Sequence, residues 1–282
     1  MRRKKDSNAS EKDPTRTSGD TTYTSKPGGT ILFRNLPDDL PVFACTGHTD
    51  LRKSIAGLET ILEEDYETTP HARCLTFFCG RSADRFKALM YDGDGYCLLT
   101  KYLSSGRFTW PQNGEEDGEM WWLDSQQFTD LMNGLPIDEE DDDGDDDIPE
   151  PSINMEKLTL FNHIMRNNAM PGGIYLCSGF TDLRKSVKGL SALVEEFGFD
   201  LQSDSSCFIF MGRKADRLKA LFYDGDGFVI ISKKIDSGKY IWPKDENELW
   251  KLAYSQAYDF PSGETLTKER ALRILCKGTP KK

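Results

Sequence analysis

The chain has 282 residues, of which 37% are hydrophobic and 11% aromatic, enough for globular cores. Its formal net charge of −11 excludes a uniformly basic surface, so any polyanion contact must run through a local patch. No apolar run approaches the roughly eighteen residues of a membrane span, and Met1 to Lys5 lead into polar sequence, so no secretory leader is expected and the chain reads as cytoplasmic.

The charge is uneven. Asp138 to Glu150 carries ten acids and no base, residues 1 to 26 carry seven bases against four acids, and residues 264 to 282 carry six against two. Residues 1–28 have almost nothing apolar to bury and are expected to be a disordered tail. The acidic run is expected to be an extended, protease-sensitive tether, because it self-repels.

Ile31 to Phe33 is a short apolar lead-in, and Pro41 to Cys45 reads as a strand, matched later by Leu160-Phe161 and Gly173 to Cys177. The next stretch, Thr49 to Ser54 (T-D-L-R-K-S), recurs letter for letter at Thr181 to Ser186, a shift of 132 residues. From Cys45 to Pro111 the first copy overlays Cys177 to Pro243 without a gap, and 31 of 67 pairs are identical. The chain is therefore a tandem duplication. In each copy a helix is expected from Thr49 or Thr181 as N-cap, with Leu51, Ile55, Leu58 and Leu62 (Leu183, Val187, Leu190 and Val194) on one face. Arg52 and Lys53, with Arg184 and Lys185, project from the polar side.

Cys74 to Cys79 and Cys207 to Met211 have the length and content of central strands. Gly80 to Asp84 turns into Arg85 to Tyr91, whose alternation puts Arg85, Lys87, Leu89 and Tyr91 on one face and Phe86, Ala88 and Met90 on the other. Asp92-Gly-Asp-Gly95 and Asp224-Gly-Asp-Gly227 are hairpin turns leading into further strands. They lack the oxygen ligands that a calcium loop needs at its later positions. Ser104 to Gly106 turns the chain into a last expected strand, Arg107 to Pro111, mirrored before Pro243. Ser125 to Gly134 is expected as a closing helix with Phe128, Leu131 and Met132 inward, and its second-copy counterpart as Thr267 to Gly278. Seven cysteines without a C-x-x-C pair read as buried free thiols, and His48, His71 and His163 do not recur between copies, which argues against a repeated zinc site.

These elements predict an α+β protein of two similar units. Each is a mainly antiparallel meander of about four strands packed with an N-terminal and a C-terminal helix. The expected boundaries are a tail at 1–28, a first domain at 29–136, an acidic linker at 137–151 and a second domain at 152–282.

The order strand, T-D-L-R-K-S, strand, G-R-x-A-D-R-x-K-A-L, Y-D-G-D-G, strand, S-G-R/K-aromatic-x-W-P resembles the small TnpB-type accessory protein of bacterial transposons of the insertion sequence 66 family. Residues carried over by motif are Asp50, Arg52, Lys53, Arg81, Asp84, Arg85, Lys87, Trp110 and Pro111, with Asp182, Arg184, Lys185, Arg213, Asp216, Arg217, Lys219, Trp242 and Pro243. The resemblance implies a cytoplasmic protein that acts beside a separate transposase; no cofactor is expected. The expected function is a non-catalytic accessory factor of DNA transposition that binds nucleic acid or the transposase–DNA complex. Its contacts are expected from Arg52, Lys53, Arg81, Arg85 and Lys87 and from Arg184, Lys185, Arg213, Arg217 and Lys219, with Trp110 and Trp242 as stacking surfaces. The alternatives are a protein-interaction module and a metal-dependent nuclease using Asp50, Asp84, Asp92 and Asp94.

Overall fold

In each copy, short β-branched and aromatic runs separated by glycine turns give strands, and one amphipathic stretch gives a helix. The structure, a computed structural model, describes residues 40–69, 73–93, 95–112, 119–133, 135–137, 164, 170–240, 242–243 and 249–252, and the backbone of 271–274. The first unit comprises β1 (Val42–Cys45), α1 (Ile55–Glu64), β2 (Leu75–Cys79), β3 (Arg85–Tyr91), β4 (Gly95–Leu103), β5 (Met120–Leu123) and α2 (Ser125–Met132). The second comprises β6 (Gly173–Cys177), α3 (Val187–Glu196), a helical turn at Leu201–Asp204, β7 (Ser206–Met211), β8 (Arg217–Tyr223), β9 (Gly227–Ile235), β10 (Leu249–Leu252) and β11 (Ala271–Ile274).

All the strands lie in one sheet, in the order β11-β10-β6-β7-β8-β9-β4-β3-β2-β1-β5. Within each unit three strands, rather than the expected four or so, form an antiparallel meander, β2-β3-β4 or β7-β8-β9. The first strand instead lies parallel to the second, Val42 opposite Leu75 and Gly173 opposite Ser206, because α1 and α3 each supply a crossover. One sheet face carries the large core of Phe86, Ala88, Leu99, Trp110 and Phe128, continuous with Leu218, Val229 and Ile231 of the second unit. On the other face, two smaller cores sit under the helices: Leu58, Leu62, Phe78 and Leu89 beneath α1, and Leu190, Val194, Phe210 and Leu221 beneath α3.

Four expectations need correction. Neither Thr49 nor Thr181 caps a helix, since α1 starts at Ile55 and α3 at Val187. T-D-L-R-K-S is a closed turn, because Asp50 accepts from the Arg52 N–H through its carboxylate (3.0 Å) and from the Lys53 N–H through its carbonyl (3.1 Å), a local alternative to helical bonding. Second, Arg107 to Pro111 is not a strand. The edge beside β4 is taken by β9, and the segment is drawn across the sheet face by the Phe108 N–H to Ala83 carbonyl bond (2.7 Å) and by the Trp110 indole donating to the Cys45 carbonyl (2.9 Å). Third, β5 and β10 were not expected; both pair antiparallel to the first strand of their unit. Fourth, within the expected helix Thr267 to Gly278, Ala271–Ile274 is a strand laddered on β10, whose edge is otherwise open.

Other expectations hold. α2 forms behind an Asp124 cap whose side chain takes the Gln127 N–H while the Gln127 side chain takes that of Asp124, and Phe128, Leu131 and Met132 are buried. The cysteines among the described residues are buried thiols outside any disulfide. Ile31 to Phe33, Leu160-Phe161, residues 1–28 and Asp138 to Glu150 lie outside the described residues.

The units join through β4 and β9, paired antiparallel from Gly95 opposite Ile235 to Leu103 opposite Gly227. Leu99 lies opposite Ile231, its own repeat equivalent, so a local two-fold axis passes between them. Lys101, 1% exposed, reaches Asp224 and Asp226 of the other unit's hairpin turn, and its equivalent Lys233, fully buried, reaches Asp92 of the first. Burial raises the pKa of the Asp224 carboxyl against the opposing pull of Lys101. The last glycine of each turn is required by the same junction: a Cβ on Gly95 would strike the Lys234 carbonyl, and one on Gly227 the Tyr102 carbonyl.

Removing one partner of a buried pair leaves an uncompensated charge, so Lys233→Ala should lower the unfolding free energy by about 3–5 kcal/mol. A urea titration at unchanged m-value measures it. Gly227→Ala should destabilise as well and accelerate amide exchange along β4 and β9. A Lys233→Ala protein within about 1 kcal/mol of the parent would contradict the crossed pairing.

Candidate nucleic-acid interface

The turn that replaces the expected helical start brings the two basic motifs of each unit together. The Thr49 N–H donates to the Cys79 carbonyl (2.7 Å) and the Thr181 N–H to that of Met211 (2.8 Å), while Leu51 and Leu183 sit over Gly80 and Gly212 so closely that a side chain there would crowd them. The T-D-L-R-K-S turn therefore rests on the turn that opens β3 or β8. Lys87 closes the contact by donating from Nζ to the Lys53 carbonyl at 2.7 Å, and Lys219 does the same to Lys185 at 3.3 Å.

Along the central strands, side chains on the helix-bearing face form two rows across the junction. One runs Lys87, Thr100, Ile230, Leu221, the other Leu89, Leu98, Ser232, Lys219. Because α1 and α3 each cover their own unit's core, with Leu89 and Leu221 in it, the remaining members of the rows floor an open groove of about 910 Å³ between the helices. Eight basic residues line it against three acidic ones, Glu59, Asp182 and Asp216; a ninth, Lys233, borders it but turns its ammonium to Asp92 on the far face. Lys87 and Lys219 enter from opposite sides. Burial, and secondarily the charge of Lys219, lowers the pKa of Lys87; burial also lowers that of Lys219, with Asp182 acting the other way.

The expected basic contact residues differ in position and in pairing. Lys87, Arg184, Lys185, Arg213, Arg217 and Lys219 line the groove. Arg52 and Arg184 fork onto Asp50 and Asp182 of their own turns (Nη2 to Oδ2, 2.8 Å each). The hydrogen bonds from Arg52 hold the Asp50 carboxyl at about 2, well below the usual carboxylate range. Arg85 and Arg217 likewise pair with Asp84 and Asp216 (3.1 and 3.2 Å), and the Arg85 guanidinium lies 5.5 Å from the centre of the Tyr102 ring. Lys53, Lys185, Arg81 and Arg213 make no ion pair among the described residues and are exposed.

Trp110 and Trp242 do not offer stacking surfaces. They are 5% and 6% exposed, and each indole donates to the carbonyl of its unit's Cys45 or Cys177 at 2.9 Å. An indole fixed by its N–H and enclosed in the core has no face left for a base.

The carboxylates of the nuclease alternative are not assembled. Asp50 pairs with Arg52, while Asp84 and Asp92 bracket β3, roughly 26 Å apart at about 3.3 Å per residue. Asp92 is buried against Lys233, and Asp94 lies outside the described residues. Among the described residues no three His, Cys, Asp or Glu side chains cluster closely enough to hold a metal ion.

The sequence reading missed Lys214, Lys234, Thr100, Ser232 and Phe180, which also line the groove. It also missed Lys101 and Lys233, although their recurrence among the identical pairs marks a shared constraint.

Residues 40–142 and 173–271 each match the family described as IS66 Orf2 like protein. Uncharacterized protein y4hO of Sinorhizobium fredii (strain NBRC 101917 / NGR234) is 35% identical over 94 residues, which cover 33% of this chain and 79% of that protein. Uncharacterized protein y4jC of the same organism is 38% identical over 65 residues, covering 22% of this chain and 53% of that protein. No solved structure matches the chain.

A lowered pKa leaves more free amine at any pH below a lysine's ordinary value. Lys87 and Lys219 should therefore be acylated ahead of solvent-exposed lysines under limiting reagent in mildly alkaline buffer, as mapped by mass spectrometry. Labelling no faster than that of exposed lysines would contradict the groove's electrostatics.

Proposed function

Because the chain belongs to the IS66 Orf2-like protein family, we propose that it is a non-catalytic accessory factor of transposition that binds nucleic acid through the groove between its two units. The observation that supports this most is the excess of bases over acids in that groove, eight against three once Lys233, held by Asp92 on the far face of the sheet, is set aside, on a chain of net charge −11. Lysines held against desolvation at a cleft floor interact strongly with an anion, because a phosphate at short range offsets the hydration that burial removed. Lys185 and Arg213, exposed in the groove lining, add to the contact. Phosphate contacts of this kind position a nucleic acid without reading its sequence. In this reading the protein works in the cytoplasm with the element's transposase, without a cofactor.

A second reading, docking of the transposase or another protein, is favoured by the sheet's outer edge. β5 ends the sheet in half-buried Met120, Trp121 and Trp122, and an end strand can accept an added strand from a partner. Mobility shift with and without the transposase separates the readings.

In the nucleic-acid reading, Lys87→Ala combined with Lys219→Ala should weaken binding by roughly 1–3 kcal/mol in total across unrelated sequences. The slope of log affinity against log salt should become shallower by about one for each phosphate that is no longer neutralised. Unchanged affinity in a folded double variant would move the weight to partner docking.

A further inference from the structure

We propose that the groove takes an unpaired nucleotide strand and that Phe180 stacks on one of its bases; this rests on the nucleic-acid reading above and specifies its substrate class. Phe180 is 52% exposed, a degree reached by few large apolar side chains among the described residues, and it lies in the wall of the groove. Its backbone is fixed on both sides. The Gly179 N–H donates to the Pro243 carbonyl (2.9 Å) and the Thr181 N–H to the Met211 carbonyl (2.8 Å), and Gly179 takes the positive φ of 73° that the sharp turn requires. A braced turn has already lost the backbone freedom that a contact would otherwise cost it.

Its neighbours in the groove wall select what it can meet. Arg213 and Lys214, both exposed in the turn before β8, supply cations for phosphates. The floor between is not uniformly charged: Leu98 and Ile230 alternate with the hydroxyls of Thr100 and Ser232. Cations spaced along an apolar and hydroxyl floor suit a chain of alternating phosphates and flat apolar rings. A duplex presents base edges rather than base faces, so a ring at this position finds a stacking partner only in an unpaired strand. The first copy carries His48, also exposed and planar, at the matching place, with Gly47 at φ 68° before it.

The test uses the full-length protein, a fluorescent oligodeoxythymidylate and a duplex of equal length, with binding read by anisotropy. The single strand should bind more tightly than the duplex. Phe180→Leu, which keeps apolar bulk and loses the ring, should weaken single-strand binding roughly 5- to 150-fold, the equivalent of one stacked base. It should leave duplex binding unchanged, and Phe180→Trp should restore the single strand. Arg213→Ala with Lys214→Ala should weaken both. If Phe180→Leu changes neither ligand, or both equally, while the cation variant weakens binding, stacking is overturned and the groove stands. If the parent binds neither ligand, or the cation variant also has no effect, both the stacking and the nucleic-acid reading are overturned.

Discussion

The crossed ion pairs at the junction, Lys101 to Asp224 and Asp226 and Lys233 to Asp92, constrain everything else in this structure. An ammonium group on the large-core face of a sheet is expensive to desolvate, and it is tolerated only against a carboxylate in the right place. Here that carboxylate belongs to the other unit. A one-residue slip of β4 along β9 would turn each lysine to the opposite face and strand its aspartate. The pairs therefore set the register as well as the partner. Gly95 and Gly227 reinforce this, since backbone of the other unit occupies the space where a Cβ would stand.

The register in turn makes the groove. With Leu99 opposite Ile231, α1 and α3 lie on either side of the axis and cover β2–β3 and β7–β8, leaving the helix-side faces of β4 and β9 open. The side chains there, Thr100, Tyr102, Ser232 and Lys234 among them, are small, amphipathic or charged rather than apolar throughout. The opposite face of the same strands is closed, because Phe108, Trp110, Tyr240 and Trp242 cross it and complete one core shared by both units.

Much of this was legible in the sequence. The repeat, the β2–β3–β4 hairpins, the facing of Arg85, Lys87, Leu89 and Tyr91, and the inward residues of α2 follow from period and turn chemistry, which are local. What failed depends on partners distant in the chain. Trp110 reads equally well as a stacking platform or as core until the Cys45 carbonyl is found beneath its N–H. Arg107 to Pro111 has strand composition, yet the edge it would occupy belongs to β9. Asp92 and Asp224 suit a tight turn, and nothing nearby in sequence signals that each also receives a lysine from more than a hundred residues away. The basic residues were named from their motif, but their convergence required the T-D-L-R-K-S turn to rest on Gly80 and Gly212, a packing arrangement with no periodic signature.

Joining two copies in one chain also changes what the axis can do. A dimer of identical subunits must present the same residue at both ends of a groove that straddles its two-fold. Here the two sides have diverged: Tyr102 in the lining corresponds to Lys234, while Glu59 and Phe180 line the groove and their repeat equivalents Ser191 and His48 do not. Rotating the groove by half a turn no longer reproduces it. A ligand with a direction of its own, such as a strand with distinct 5′ and 3′ ends, meets two different energies in its two orientations, so the fused chain can hold polarity that its symmetric architecture alone would average away.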